Sequence, residues 1–586
     1  MEILQGVAAS PGYAIGKAVV LDREDVPVRK GFIPEDQVES ELSRLHAAVE
    51  RAKEDIQNLQ ERMSTEVGEG AAAIFGAHLW MLSDRSLRKE ILGRIENNRF
   101  TAEYAVDRAV QKYVKRLRAL GDSYLAQRVP DLEDVERRLL TILQGSRRPE
   151  IARVPGPVVV VAHSLSPSQT VSFDRSKVLG IATDVGGRTA HAALLARDLG
   201  IPAVVGVETA SSDVGPGETV IVDGQRGVLI IAPDERTIEK YREWEQAYLG
   251  FERRLTEESH LPATTRDNVL VSVYGNIEFP EEIPSVVEHG AEGIGLYRTE
   301  FLFLRSGRMP TEQDHLEAYE AALSFLEGKP ILIRTLDIGA DKVGVGGSGE
   351  QERNPFLGCR SIRLCQVHPM MFRTQLRAIL RVSGKGNVKC MLPMITTPEE
   401  LRWAKGVMNE VRDELSSEGV PFNPDLEVGI MIEVPAAALM ADVLAREADF
   451  FSIGTNDLIQ YTLAVDRTNE HVASLFTPAE PAVLRLIQMV IDAAARHDIT
   501  VSMCGAMASD PVFVVLLLGM GLREFSVAPM QAPQVKKMIR SVSIDKARAL
   551  AADILGLQTK EEVQSMLGRE TRELGPGGFM GLSPAE

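Results

Sequence analysis

His191 is the most informative chemical group in the sequence. It ends the run GGRTAH, in which two glycines, an arginine and a threonine precede it. The flanking apolar pattern predicts a strand followed by a helix, with His191 in the first helical turn. There, unpaired N–H groups and the helix dipole favour phosphate oxygens. Gly187 lets the backbone turn sharply, and Arg188 adds a charged donor. A lone histidine at such a position is more often a helix cap, but this context favours a nucleophile that carries a phosphoryl group.

Polar residues in the C-terminal half follow the ends of predicted strands. Arginines and a lysine among them can bind a small polyanion, and arginine does so bidentately. Two carboxylates supply hard oxygen ligands suited to Mg²⁺. Each residue alone is equally typical of a salt bridge, a helix cap or core packing, but together they match the parts needed for phosphoryl transfer. The set comprises Arg298, Glu300, Arg334, Asp337, Lys342, Arg360, Glu433, Asn456, Asp457, Arg467 and Cys504.

The elements that position this set are eight short β-like runs after Pro262, which alternate with helical stretches. Several runs are almost entirely apolar, as expected for strands that are buried on both faces. Eight β/α units in about 300 residues predict a TIM (β/α)₈ barrel, in which strand ends meet on the face that carries active sites.

The N-terminal half predicts an α/β domain that is interrupted by helices. Apolar residues from Val38 onward recur at steps of three and four, which is typical of amphipathic helices. The first strands have no other obvious partner, so we expect them to join the later α/β domain and the helical bundle to be an insertion. The predicted multidomain α/β chain therefore comprises 1–22 with 146–233 as the phosphohistidine domain, 33–145 as the helical insertion, 234–261 as a linker helix, 262–570 as the barrel and 571–586 as a flexible tail.

Composition limits the classes of protein that remain. The chain has 586 residues, 44% of them hydrophobic, and a formal net charge of −18. This charge argues against nucleic-acid binding, which needs a basic surface. None of the four cysteines forms a CxxC pair, so neither a zinc site nor a disulfide framework is indicated. A signal peptide and a membrane span are also not indicated, and we expect a cytoplasmic protein without membrane insertion.

The run GGRTAHAALLARDLGIPAVVG resembles the phosphohistidine motif of the enzyme I family of phosphoenolpyruvate-dependent phosphotransferase systems. Related motifs belong to pyruvate phosphate dikinase and phosphoenolpyruvate synthase, but these carry a large nucleotide-binding domain before the histidine. The segment before His191 is too short for that domain and has no Gly-rich nucleotide loop. The C-terminal runs GLYRTEFLF, NPFLG and FFSIGTNDLIQYTLAVDR also resemble blocks of the enzyme I family.

This resemblance implies roles for individual residues. Thr170 would hydrogen-bond the imidazole of His191, although the residue alone is equally typical of a helix cap. Cys504 would donate the proton that converts enolpyruvate to pyruvate, which a thiol of suitable pKa can do. The remaining roles are substrate contacts at Arg298, Arg334, Asn456 and Arg467, and Mg²⁺ ligands at Glu433 and Asp457.

The resemblance also implies an activity and partners. The enzyme would transfer the phosphoryl group of phosphoenolpyruvate to His191 and then to a histidine of the phosphocarrier HPr, as the first step of sugar uptake. HPr would dock on the helical insertion, the phosphohistidine domain would swivel between the two sites, and the chain would form a homodimer through the barrel. Two alternatives stay open: a nitrogen-regulatory enzyme I, and a non-catalytic regulator that binds phosphoenolpyruvate or a carrier.

Three departures from the family pattern concern loops beside the barrel site. Ala340 stands where the family has a glycine, and Ala506 stands where it has a glutamate. The loop between Lys342 and Asn354 is rich in glycine. These changes keep all of the predicted catalytic residues. They concern the loops that would close over the site.

Overall fold

Strands rich in β-branched residues build one mixed sheet in the first of two compact units, Met1–Gly250 and Phe251–Glu586. The computed structural model describes residues 1–21, 28, 30–66, 78–79, 81–119, 129–144, 156–165, 177–187, 191–198, 200–305, 309–339, 354–467, 469 and 472–574. The strands are β1 Glu2–Gln5, β2 Val7–Ser10, β3 Tyr13–Leu21, β4 Val158–Ala162, β5 Val178–Thr183, β6 Ala203–Val205, β7 Thr219–Asp223 and β8 Val228–Ile231.

The sheet order is β1-β8-β7-β3-β4-β5-β6-β2. Strand β3 pairs in parallel with β4, with Lys17 opposite Val158 and Leu21 opposite Ala162. The first 21 residues therefore complete a sheet whose other strands lie more than a hundred residues later. This pairing confirms the prediction of an α/β domain into which a helical bundle is inserted.

The inserted bundle packs on an apolar stripe of each helix. Its described helices are α1 Val38–Glu66, α2 Arg85–Asn98, α3 Ala102–Ala119 and α4 Val129–Gln144. Ala52, Ile56, Ile95 and Val106 are fully buried where these helices meet. The Asp84 carboxylate caps α2 by accepting from the N–H groups of Ser86 and Leu87.

Three further helices belong with the sheet: α5 His191–Asp198, α6 Ala210–Asp213 and α7 Glu235–Glu257. Helix α7 covers most of the segment expected to be a polar linker, but its first half is packed on the sheet. Tyr241 and Trp244 are buried against Tyr13. The Tyr241 hydroxyl donates to Asp223 Oδ2 at 3.0 Å. Two aromatic side chains on one face therefore attach this part of the helix to the α/β domain.

The second unit contains a closed barrel of eight parallel strands in the order β10-β11-β12-β13-β14-β15-β16-β9. Each strand overlaps one of the eight predicted runs, so the prediction of a TIM barrel is confirmed. The strands are β9 Ser272–Ile277, β10 Ile294–Tyr297, β11 Ile331–Arg334, β12 Val388–Leu392, β13 Val428–Ile432, β14 Phe450–Ile453, β15 Thr500–Met503 and β16 Glu524–Val527.

Helices surround the barrel and bury its outer face. The last of them is α22, whose Val563 and Leu567 are buried. Helix α22 extends to Leu574, so the first four residues of the expected flexible tail are helical, and the others lie outside the described residues. The helices are α8 Ile283–Glu288, α9 Phe301–Arg305, α10 Glu312–Leu326, α11 Ser361–Val367, α12 Pro369–Ser383, α13 Pro398–Ser417, α14 Pro435–Leu439, α15 Ala441–Leu444, α16 Thr455–Leu463, α17 Pro481–Arg496, α18 Ala506–Ser509, α19 Pro511–Met520, α20 Ala532–Ser541, α21 Ile544–Leu555 and α22 Lys560–Leu574.

Within the described part of the chain, every helix is too short or too polar to cross a lipid bilayer.

Candidate active site

Arg334 is the last residue of β11 and lies at the centre of the barrel's carboxyl-terminal face. Its side chain is almost completely buried, and it forms two ion pairs. Nη2 lies 2.9 Å from Glu300 Oε1, and Nη1 lies 3.0 Å from Asp337 Oδ2. Glu300 Oε1 also accepts from the backbone N–H of Asp337 at 3.1 Å. The two carboxylates therefore fix both arms of the guanidinium.

A second arginine shares one of these carboxylates. Arg360 Nη2 lies 2.9 Å from Asp337 Oδ1, which also accepts a hydrogen bond from the Ser361 hydroxyl. Arg360 Nη1 donates to the Tyr461 hydroxyl at 3.4 Å. Burial raises the pKa of Asp337, but Arg334 and Arg360 outweigh it and lower the pKa to about 2. Asp337 is therefore ionised and holds two guanidinium groups side by side.

Three carboxylates meet beside these arginines. Asp337, Glu433 and Asp457 each offer an oxygen, and these oxygens lie within 4.8 Å of one another. Glu433 Oε1 accepts from the Met394 N–H at 2.6 Å. Burial, reinforced by Asp337 and Asp457, raises the pKa of Glu433 well above its ordinary value. Like charges at such short range are unfavourable unless a cation balances them.

Asp457 supplies the most direct indication of a cation. Its Oδ1 is buried and has no hydrogen-bond partner among the described residues. Buried carboxylate oxygens are normally paired, so an unpaired oxygen on a carboxylate that lies beside two others fits a divalent metal ion.

Gly454 allows the strand β14 to approach Glu433 closely. A Cβ atom at this position would lie 2.9 Å from Glu433 Oε2 and 3.0 Å from Met431 Sδ. Any larger residue would displace the carboxylate, so the short approach requires glycine here.

Cys504 follows β15 and belongs to a buried cluster that includes Leu296 and Phe450. The Ser452 hydroxyl donates to its sulfur at 3.4 Å. Burial raises the pKa of the thiol, and the Ser452 hydrogen bond and Arg334 only partly oppose this effect. The side chain is therefore a protonated thiol at neutral pH, as a proton donor must be.

Three other predicted barrel residues follow α16 or lie at the ends of β10 and β14: Arg467, Arg298 and Asn456. Asn456 Oδ1 accepts from the backbone N–H of Ala506 at 3.1 Å. Arg298 Nη1 pairs with Glu278 Oε1 at 2.7 Å, and the Arg298 side chain is partly exposed. The backbone N–H of Arg467 donates to Gln460 Oε1 at 3.2 Å. Arg298 and Arg467 thus differ from Arg334 and Arg360, because neither forms an ion pair with Asp337.

The phosphohistidine motif lies between β5 and α5. Gly186 has a φ of 118°, which other residues rarely adopt, and a Cβ atom at Gly187 would meet nothing within 4 Å. Helix α5 begins at His191 itself. The side chain of His191 and the residues Thr170, Arg188, Ala340 and Lys342 lie outside what the structure describes.

The sequence places Asp337 and Glu300 at strand ends but predicts no individual role for either of them. Asp337 contributes the third carboxylate, and Glu300 orients Arg334. Their positions after β10 and β11 were the available signal. Their shared use of Arg334 was not predictable, because it depends on the conformation of two loops.

Comparison with known proteins extends over nearly the whole chain. Residues 252–544 match the family described as PEP-utilising enzyme, PEP-binding domain. Residues 5–128 match the N-terminal domain of PEP-utilising enzymes, and residues 154–227 match their mobile domain. The strands of the barrel, helices α1 to α3 of the inserted bundle and strands β4 to β7 around His191 therefore fall in these matches.

Three relatives that match over nearly their full length carry the same name. Phosphoenolpyruvate-protein phosphotransferase from Geobacillus stearothermophilus is 43% identical over 97% of this chain and 98% of its own. The chain belongs to the phosphoenolpyruvate-protein phosphotransferase family. The members of this family from Bacillus subtilis (strain 168) and Listeria monocytogenes are 41% and 40% identical, over 96% and 97% of this chain and 98% and 99% of their own. A solution structure of an Enzyme I protein matches 42% of this chain and 99% of its own, at 41% identity and a TM-score of 0.38.

Proposed function

We propose that this chain is a phosphoenolpyruvate-protein phosphotransferase that phosphorylates His191 and passes the phosphoryl group to a histidine of an HPr-type carrier. The observation that carries this proposal is the placement of the buried Arg334 and the largely buried Arg360 beside three carboxylates at the barrel face, where the two arginines share Asp337. Such a site suits a small, highly charged phosphate ester and a divalent cation.

The arginines bind the substrate in this proposal. Arg334 and Arg360 present guanidinium groups of fixed orientation to the phosphate of phosphoenolpyruvate. Arg298, Arg467 and Lys342 contact the remaining phosphate and carboxylate oxygens, and Asn456 adds a neutral contact. Because burial excludes water, each charged hydrogen bond is stronger than it would be in solution.

Glu433 and Asp457 would hold Mg²⁺, with Asp337 nearby as the partner of the arginines. When bound, the cation neutralises charge on the phosphate oxygens. The unpaired Asp457 oxygen and the close approach of Glu433 to Gly454 support this assignment.

The chemical step exchanges one bond to phosphorus for another. The imidazole of His191 attacks phosphorus in line, a P–N bond forms, and the bond from phosphorus to the enol oxygen breaks. The electron pair stays on the departing enolate. Cys504 then donates its proton to the methylene carbon, which yields pyruvate, and the raised pKa of its thiol keeps that proton available at neutral pH.

The α/β domain prepares His191 for this attack. Thr170 hydrogen-bonds the imidazole and selects the attacking nitrogen, while Gly187 and Arg188 hold the transferred phosphate close to the start of α5. His191 must meet the barrel site first and the carrier second, so the domain formed by 1–22 and 146–233 swivels between them. The carrier docks on the helical insertion 33–145. Homodimerisation through the barrel 262–570 and a cytoplasmic location stay predictions.

The test is phosphorylation of the purified chain by ³²P-phosphoenolpyruvate with Mg²⁺, followed by a chase with HPr. We expect acid-labile, base-stable label on the wild type and none on His191→Ala, and we expect addition of HPr to remove it. Equal label on His191→Ala would refute the proposed nucleophile. Label that HPr does not remove would indicate a different carrier, and label that requires ATP would place the chain with the nucleotide-dependent relatives.

A further inference from the structure

Gln375, in the middle of α12, is fully buried and uses both ends of its amide in hydrogen bonds. Its Oε1 accepts from the backbone N–H of Leu336 at 3.0 Å. Its Nε2 donates to Thr299 Oγ1 at 3.0 Å and to the Tyr319 hydroxyl at 3.1 Å. One side chain from the outer layer of helices thus connects the segments that follow β10 and β11.

The network continues from Gln375 through Thr299 and through Tyr319, and on neither side do two donors face each other. The Thr299 hydroxyl accepts from Gln375 and donates to the backbone oxygen of Arg334 at 3.0 Å. The Tyr319 hydroxyl lies 3.1 Å from His315 Nδ1. Burial lowers the pKa of His315 to about 4, so its imidazole is neutral at pH 7 and can accept this bond. Each of these hydrogen bonds of Gln375 and Thr299 therefore joins one donor to one acceptor.

The atoms held by this network belong to the segments that carry the site. Thr299 lies between Arg298 and Glu300 in the chain. Arg334 O and Leu336 N, the two backbone atoms that are held, flank Thr335 just before Asp337. The network therefore links the segments that follow β10 and β11, which carry the Arg334 guanidinium and the carboxylates of Glu300 and Asp337.

The simpler explanation is a buried polar residue that serves only stability. It accounts poorly for the placement of Gln375, because the neighbouring buried residues of this helix, Phe372 and Leu376, are apolar. An apolar side chain would fill the same space without the need for three partners.

We propose that Gln375 is a positioning residue for substrate binding: through Thr299 and Leu336 it holds the two segments that present Arg334 to the phosphate of the substrate. This inference rests on the proposed function. It requires no contact between Gln375 and the substrate, and it assigns the network a role in the geometry of the site in addition to its role in folding.

The experiment compares three variants that carry changes in α12. Gln375→Met keeps the volume and removes all three hydrogen bonds. Gln375→Glu, protonated in this buried position, keeps the acceptor for Leu336 and one donor. Leu376→Ala is the matched control, since it removes buried volume from the next residue without touching the network.

Each variant is first tested for folding by circular dichroism and urea unfolding. KM and kcat for phosphorylation by phosphoenolpyruvate are then measured at 20 °C. Binding of phosphoglycolate, an unreactive compound with the same two anionic groups, is measured by calorimetry with Mg²⁺. We expect Gln375→Met to raise KM and the phosphoglycolate Kd by at least about tenfold, Gln375→Glu to lie between it and the wild type, and Leu376→Ala to stay within about twofold of the wild type.

Two results would overturn the inference: unchanged KM and Kd in Gln375→Met, or equal losses in Gln375→Met and Leu376→Ala. A wild type that takes no label from phosphoenolpyruvate would refute the proposed function instead, and the phosphoglycolate comparison would then decide the role of Gln375 by itself.

Discussion

Asp337 lies three residues after Arg334, the last residue of β11, and the two form a buried ion pair with 3.0 Å between Oδ2 and Nη1. The second oxygen of the same carboxylate pairs with Arg360 at 2.9 Å. Two positive groups that would otherwise repel each other are therefore held side by side before any substrate arrives. Binding then requires little reorganisation, which is an advantage when the transition state is stabilised mainly by charge.

Replacement of Arg334 by lysine tests this arrangement. One ammonium group cannot span both Glu300 and Asp337 in the way that a guanidinium does, so a buried carboxylate loses its partner. We expect Arg334→Lys to lower kcat/KM by at least about a hundredfold and the free energy of unfolding by about 1–3 kcal/mol. Steady-state kinetics and urea denaturation measure the two effects. Arg402→Lys, which changes an exposed pair with Glu447, should leave both values nearly unchanged.

The carboxylate cluster predicts opposite effects of one substitution with and without metal. Glu433→Gln replaces a carboxyl group whose ionised form is disfavoured by burial and by Asp337 and Asp457. Without Mg²⁺ we expect the variant to be more stable than the wild type, by about 1 kcal/mol. With Mg²⁺ at ten times its Kd, the wild type should gain about 1.4 kcal/mol and the variant almost nothing. Thermal unfolding with EDTA or Mg²⁺ measures both, and equal stabilisation by Mg²⁺ in the two proteins would rule out Glu433 as a ligand.

The cysteines should differ sharply in their rates of alkylation. Burial raises the pKa of Cys365 and Cys390 to about 12, and it raises the pKa of Cys504 as well. Because only the thiolate reacts, iodoacetamide at pH 8 should modify the partly exposed Cys359 first. Mass spectrometry of timed samples measures the order, and protein unfolded in urea, in which all four should react, is the control. Modification of Cys504 ahead of Cys359 would show that its thiol is more acidic than its burial implies.

The barrel should lose stability in mild acid through His315. The pKa of this imidazole is about 4 when folded, because of burial, and about 6.5 when unfolded. The unfolded state therefore binds more protons between these values, and the free energy of unfolding falls as the pH drops through this window. From pH 7 to pH 5 the loss is about 2 kcal/mol.

Urea unfolding of the wild type and of His315→Gln at both pH values measures this contribution. Between pH 7 and pH 5, the free energy of unfolding should fall more in the wild type than in His315→Gln. His260→Gln, at an exposed position, should follow the wild type at both values. A wild type and a His315→Gln variant that lose equal stability would show that other groups cause the acid sensitivity.

The barrel was predictable because several of its strands are apolar on both faces and appear as uninterrupted runs, such as VGIMI at β13. The convergence of Glu433 and Asp457 followed from the same geometry, since parallel strands end on one face. The inserted bundle was predictable from its helical periodicity and from the unpartnered strands at the N-terminus.

The contacts that determine the site were not predictable in the same way. Asp337 joins the carboxylates and holds two arginines because of the loop conformation after β11, which no short pattern encodes. Gln375 left a weak signal, as a polar residue beside Phe372 and Leu376 on a buried helix face. Sequence periodicity shows that such a residue is buried, but the identity of its partners depends on the tertiary structure.

The Asn456 amide is held by the main-chain N–H of Ala506 and not by a side chain. Any residue except proline can supply that hydrogen bond, so the side chain at position 506 can change without loss of the contact. Ala506, which stands where the family resemblance implies a glutamate, makes this main-chain contact. Comparison of diverging relatives should therefore find variable side chains at this position but a strictly retained backbone path.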